Sequence, residues 1–330
     1  MKTSIIGYPR IGSLRELKFL TEDYFKHSTT KEVLLKNAGE LRKKQLNLIQ
    51  QAGIDFIPSN DFSFYDNMLD AAYMLGIIPE RYRNLHLDDL DTYFAMARGY
   101  QGENGDVKAL PMKKWFNTNY HYIVPEFEDG IRVQLTGSKL FDEYKEAQVQ
   151  GVQTKPVLIG PFTLLRLSNY AGSGKAETFA DSVISAYSEL FGQLNSLNSR
   201  WLQLDEPYLV TDLTDTDKLL FISLYKKLLS HKGSLKVLLQ TYFGDIRDIY
   251  EEAVKLDFDG IGLDFLEGKK TFDLISRCGF PKDKLLFAGI VNGKNIWRNN
   301  YAASLSVLEK LSSCVDRDHL VISTSCSLLH

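Results

Sequence analysis

Cysteine is scarce in this chain: Cys278, Cys314 and Cys326 are odd in number and far apart among 330 residues. A disulfide framework is therefore not expected, and a buried free thiol is the default for each. Neither His-x-Cys nor Cys-x-x-Cys occurs, so the usual short zinc spacings are missing. Cationic excess is missing too, with 39 Lys and Arg against 42 Asp and Glu. The formal net charge of -3 gives no basic field, so neither nucleic acid nor an anionic membrane is an expected partner. No run reaches the ~18 apolar residues of a membrane span. The opening Met1–Gly7 is too short in apolar residues for a secretory signal and reads as a strand. These absences point to the cytoplasm.

What is present is a repeated unit. The stretch Trp201-Leu202-Gln203-Leu204-Asp205-Glu206-Pro207 begins as an apolar run and ends on two carboxylates and a proline. The run has no helical period, and Pro207 lacks the amide to continue a sheet ladder, so a buried strand must turn there. Similar runs stand at Ser4–Gly7, Asp55–Pro58, Pro156–Gly160, Lys236–Thr241, Gly260–Asp264, Leu285–Gly289 and Leu320–Ser325. All are short and unalternating, as parallel strands buried on both faces should be. Helical segments lie between them, among them Lys31–Gln51, Thr178–Asn198 and Asp245–Leu256. Eight such units predict an α/β fold, a (βα)₈ TIM-type barrel spanning residues 1–330 as one domain. A doubly wound open sheet is the alternative.

Residues 67–155 separate the second and third strands and are too long for a simple crossover. They read as an insertion with its own helices and a hairpin. Inside it, Lys114-Trp115-Phe116-Asn117-Thr118-Asn119-Tyr120-His121-Tyr122 mixes four aromatics with amides, a lysine and a histidine. This is either a half-buried loop core or part of a site. After the eighth strand only Cys326–His330 remain, so the final barrel helix is missing, and an apolar groove beside that strand is expected. The chain thus reads as a fragment of something longer, or as a barrel completed by a partner.

Barrel active sites lie at the carboxyl ends of the strands. Those ends carry Tyr8-Pro9-Arg10, Asn60-Asp61, Pro161, Asp205-Glu206, Thr241-Tyr242, Asp264, Val291-Asn292 and Ser325-Cys326. Ser13 and Glu16 stand at capping-box spacing, which starts a helix at Ser13. Arg15 and Lys18 would then share a face at its positive end, either as a carboxylate- or phosphate-binding corner or as a solvated first turn. Asp205-Glu206-Pro207 resembles the acid/base ending of retaining glycosidases, but the seventh strand end offers no second carboxylate. Ala171-Gly172-Ser173-Gly174-Lys175-Ala176 lacks the first glycine and the hydroxyl of a phosphate loop, so nucleotide binding is rejected. Cys326 and His330 are too few ligands for a metal.

Several collinear motifs carry a family resemblance. They are Gly7-Tyr8-Pro9-Arg10-Ile11-Gly12, Arg15-Glu16-Leu17-Lys18, Lys114–Tyr122, Pro125-Glu126-Phe127 and Lys155–Pro161. Gln203–Pro207, Gly289-Ile290-Val291-Asn292-Gly293 and Ser325–His330 complete the set. Together they resemble the amino-terminal half of the cobalamin-independent methionine synthases, 5-methyltetrahydropteroyltriglutamate–homocysteine methyltransferases of methionine biosynthesis. The resemblance implies two tandem barrels. The second would hold zinc and bind homocysteine as a thiolate, which takes the methyl group from the folate. The first, this chain, would have no metal, no cofactor and no catalytic residue. It would face the C-terminal barrel and contact the polyglutamate tail of 5-methyltetrahydropteroyltri-glutamate through Arg15, Glu16, Leu17, Lys18 and Lys114. Asp205-Glu206-Pro207 and Cys326 would be counterparts of second-barrel elements kept for structure. The rival reading is a stand-alone, non-catalytic barrel that binds a polyanionic small molecule or a partner barrel.

Overall fold

The computed structural model describes residues 1–330. Eight strands run parallel: β1 (Lys2–Ser4), β2 (Ile57–Ser59), β3 (Thr154–Ile159) and β4 (Trp201–Asp205). They continue with β5 (Lys236–Gln240), β6 (Gly260–Asp264), β7 (Leu285–Val291) and β8 (Leu320–Thr324). Each pairs with its sequence neighbour from β2 to β8, and β8 pairs with β1. A single parallel bridge, Ser4 to Phe56, closes β1 onto β2. At this seam the Phe56 amide donates to the Thr3 carbonyl (3.0 Å), and the Thr3 amide donates to Asp55 Oδ2 (2.7 Å). The sheet is a barrel of the TIM type, and the open doubly wound alternative falls.

All eight strands form where apolar runs stand, with shifted edges. β1 ends at Ser4 rather than Gly7 because the next inward amide, that of Ile6, donates to Thr324 Oγ1 (3.2 Å) instead of a ladder carbonyl. The helix Lys31–Gln51 forms as its pattern predicts, with Thr30 accepting the Val33 amide as N-cap. It buries Leu34, Ala38, Leu41, Leu46 and Ile49, the last two against Ile5 and Ile57. The long helix expected from Thr178 runs Ala176–Ser196. The one expected over Asp245–Leu256 is only Tyr250–Ala253. There the Asp245 carboxylate accepts from Arg247 and from the Lys270 amide, holding the strand-to-helix turn in a non-helical course.

Residues between β2 and β3 build helices at Asn67–Met74, Glu80–Arg83, Asp89–Arg98 and Lys139–Val149. They also build two hairpins, Tyr100–Gly102 with Gly105–Val107 and Met112–Lys114 with His121–Ile123. Tyr82, Tyr93, Phe94, Met96 and Leu110 give this region an apolar centre of its own. Residues 325–330 form no helix; they double back over the barrel mouth, and the Leu328 amide donates to the Gly7 carbonyl (3.0 Å). Along β8, Leu320 is buried, Val321 packs inside the barrel with Phe56, Leu238 and Phe287, and Ile322 is half-buried, while Leu328 packs on the cluster of Ile5, Leu46 and Ile49.

Candidate functional site

Three acids at the carboxyl ends of the strands hold loops. Asp61 accepts the Tyr8 amide (2.7 Å), fixing the loop after β1. Glu206 is fully buried and accepts the amides of Phe162 (2.9 Å) and Thr163 (2.6 Å) at the start of the helix Pro161–Leu167, plus the Tyr225 hydroxyl. Asp264 accepts from the amides of Phe243 (3.1 Å), Leu266 (2.8 Å) and Glu267 (3.0 Å). Burial raises Glu206 to about 7 and Asp264 to about 6, although these donors pull both down. Their lone pairs face protein amides, which is the geometry of staples rather than of a glycosidase pair.

Below the mouth lies a polar thread that the sequence reading did not single out. Lys155, on β3, is 1 % exposed; it donates to the Ile5 carbonyl (3.0 Å) and to Gln203 Oε1. Gln203 Nε2 donates to the Ile6 carbonyl (3.1 Å) and to Asp205 Oδ1 (2.7 Å), and the Tyr242 hydroxyl donates to Asp205 Oδ2 (3.1 Å). Burial pushes the Asp205 carboxyl up and the Lys155 ammonium down. A lysine and a glutamine inside otherwise apolar strand runs were the available signal.

Over this thread sits an aromatic lid. His330 packs against Tyr120 (5.5 Å between ring centroids), Phe243 (5.3 Å) and Tyr242 (6.4 Å). Arg10 donates to the Tyr120 hydroxyl (2.8 Å), and that hydroxyl donates to the Tyr65 carbonyl (3.0 Å). Lys294 lies 4.5 Å from the Phe243 ring centroid and binds Glu267 and Asn117. The stretch Lys114–Tyr122 is thus joined to the loops after β1, β6 and β7. Burial, reinforced by Lys294 and Arg10, lowers His330 to about 4, so the ring is neutral near pH 7.

The five residues singled out for tail binding differ in burial, Leu17 being buried and Arg15 and Lys114 exposed. The helix starts at Glu16, not Ser13, and Arg15 is its N-cap in a left-handed conformation (φ 64°). Ser13 does not cap because Glu16 does so in reverse: its Oε2 accepts the Leu14 amide (2.9 Å). The Cβ of any residue at Gly12 would fall 2.0 Å from that oxygen. Leu17 is buried against Ala38, Leu41 and Phe62, and its amide donates to the Ile11 carbonyl (3.1 Å). Lys18 is half-exposed and 3.6 Å from Glu22. Arg15 and Lys114 are exposed, and their side chains have no hydrogen bond or ion pair. No hydrogen bond or ion pair joins Lys114 to the Arg15–Lys18 corner; it lines a depression of about 320 Å³ with Lys113, Phe116, Arg166 and Tyr208.

No three His, Cys, Asp or Glu side chains converge in an arrangement that would hold a metal ion. Cys326 is buried, and burial pushes its thiol up to about 12. The side chains of this chain therefore do not fit a zinc site.

Residues 2–316 match the family model described as cobalamin-independent synthase, N-terminal domain. Among relatives, the 5-methyltetrahydropteroyltriglutamate--homocysteine methyltransferase of Streptococcus thermophilus is 57% identical over 330 residues, all of this chain and 43% of the relative. That of Streptococcus pneumoniae serotype 19F is 56% identical over the same span and share. The chain thus covers less than half the length of these relatives. A putative vitamin-B12 independent methionine synthase from Listeria monocytogenes superposes with a TM-score of 0.71 at 16% identity, over 99% of this chain and 91% of that one. A B12-independent methionine synthase from Shewanella gives 0.69 at 15% identity, over 91% and 84%. At such identities the two structures speak to the fold alone.

Proposed function

Since the chain belongs to the cobalamin-independent synthase family as its N-terminal domain, we propose that it is the folate-tail half of a methyltransferase. In this reading a methyl group passes from 5-methyltetrahydropteroyltri-glutamate to the sulfur of homocysteine, in methionine biosynthesis. The C-terminal barrel of the same protein binds homocysteine and carries the zinc. Residues 1–330 act as one tail-binding domain, with 67–155 as the insertion that presents Lys114. The setting is the cytoplasm.

The observation that carries the tail role is the exposure of Arg15 and Lys114 without any anionic partner. A glutamate chain supplies one carboxylate per residue, and such unpaired cations bind them with charge-assisted hydrogen bonds. Lys18 joins by exchanging Glu22 for a ligand carboxylate. Glu16 and Leu17 serve by shape: the carboxylate of Glu16 holds the Leu14 amide, and Leu17 anchors the corner to the helix Lys31–Gln51.

Titration of the chain with mono- and triglutamylated 5-methyltetrahydrofolate tests this. Arg15→Ala, Lys18→Ala and Lys114→Ala are each expected to weaken the triglutamate form by roughly tenfold, about 1.4 kcal/mol, and the monoglutamate form much less. Equal affinity of parent and variants for both forms would refute the assignment.

A further inference from the structure

The opposite end of the barrel holds a second cavity, of about 430 Å³, within the range of small-molecule sites. Every one of the eight strands contributes to it, from its first residue or the residues just before it. Its floor is aromatic. Phe56 and Trp201 meet edge to face at 5.6 Å, and both pack on Phe287 beneath them.

The rim carries three unpaired cations. Lys2, Arg200 and Lys236 line the opening, and no side-chain hydrogen bond or ion pair engages any of them. Lys2 Nζ lies 5.6 Å from the Phe56 ring centroid, and Lys236 Nζ lies 5.6 Å from that of Trp201. Three acids share the lining, and none forms an ion pair with these cations. Asp55 accepts from the amide and hydroxyl of Thr3 (2.7 and 3.0 Å). Asp259 accepts the Val237 amide (2.9 Å) and pairs with Lys232 (3.0 Å). Asp283 is 81% exposed and nearest to Lys284, at 3.9 Å.

We propose that this amino-terminal opening is a binding site for a small polyvalent oxyanion, a polycarboxylate or a polyphosphate. Three cations on separate strands converge on one bowl, and an oxyanion with several negative oxygens pairs with them at once. The site is at the other end of the barrel from Arg15, Lys18 and Lys114 and is independent of the folate reading.

Isothermal titration of the chain with tripolyphosphate and with citrate, at constant ionic strength, tests the proposal. One saturable site is expected for at least one probe, and which probe binds more tightly identifies the source as phosphate or carboxylate. The surface double variant Arg200→Ala/Lys236→Ala should bind at least tenfold more weakly. Arg15→Ala/Lys18→Ala/Lys114→Ala should bind as the parent does. Absence of saturable binding with both probes overturns the proposal. So does unchanged affinity in the Arg200/Lys236 variant, or loss of binding in the Arg15/Lys18/Lys114 variant alone.

Discussion

Lys155 and Asp205, both buried inside the barrel, form no direct ion pair: the side-chain amide of Gln203 stands between them, accepting from one and donating to the other at 2.7 Å. A charge on each end of one amide is a costly arrangement to bury, and burial moves both groups toward neutrality. The consequence is a stability profile with two limbs. The folded protein holds the Asp205 proton to higher pH than the unfolded chain, whose value is near 3.8, so stability falls as pH climbs above that value. It also releases the Lys155 proton earlier than the unfolded chain, near 10.5, so stability recovers as pH approaches that value. Urea melts across pH 4 to 10 should lose the acid limb in Asp205→Asn and the alkaline limb in Lys155→Met.

Glu206→Gln replaces an acceptor oxygen by an NH₂ that faces protein donors, the amides of Phe162 and Thr163 or the Tyr225 hydroxyl. A buried donor left unmatched costs about 2 kcal/mol. Thermal unfolding should drop by roughly 3–5 °C, with affinity for triglutamylated methylfolate unchanged. A variant that melts like the parent but loses folate binding would give Glu206 a functional rather than a structural role.

His330 is a buried base lowered to about 4. The unfolded chain takes up this proton near 6.5, so between those values it binds more protons than the folded form. Stability attributable to the ring is therefore present above about 6.5 and lost as pH falls through 4. His330→Phe keeps the stacking on Tyr120 and Phe243 and should flatten the urea midpoint between pH 4.5 and 6.5.

The cysteines divide by exposure. Cys278 and Cys314 are exposed and Cys326 is buried with its thiol pushed up to about 12. Iodoacetamide followed by mass spectrometry should find label on the first two in native buffer and on Cys326 only after denaturation. Native labelling of Cys326 would mean that the lid over the barrel mouth opens readily.

The strands were legible because a parallel barrel strand is apolar on both faces, so Val237–Leu239 and Leu285–Ala288 stand out without any partner being known. Their ends were not, because an end is set by where the next amide donates: Ile6 chooses a threonine hydroxyl, which no periodicity shows. The first-loop helix began late for a similar reason. Serine and glutamate stand at the right spacing, but Glu16 folds back onto Leu14 and leaves Arg15 as the cap. The cationic corner itself was visible as residue types. That Leu17 is buried and Arg15 unpaired follows from packing against Ala38, Leu41 and Phe62, which are distant in sequence. The link between Lys155 and Gln203 was not legible because it forms across strands 48 residues apart in sequence.

The closure between β1 and β2 rests on one bridge and the grip of Asp55 on Thr3, while each of the other seven pairings holds three or more residues in register. A cylinder sewn so lightly at one line unrolls there first. Amide hydrogen exchange should enter along Thr3 and Phe56 before it reaches β4 to β7. Once parted, the two strands become free edges of an open sheet, and a free edge pairs with another chain as readily as with its own. The seam is thus where heat-induced aggregation of this protein would nucleate.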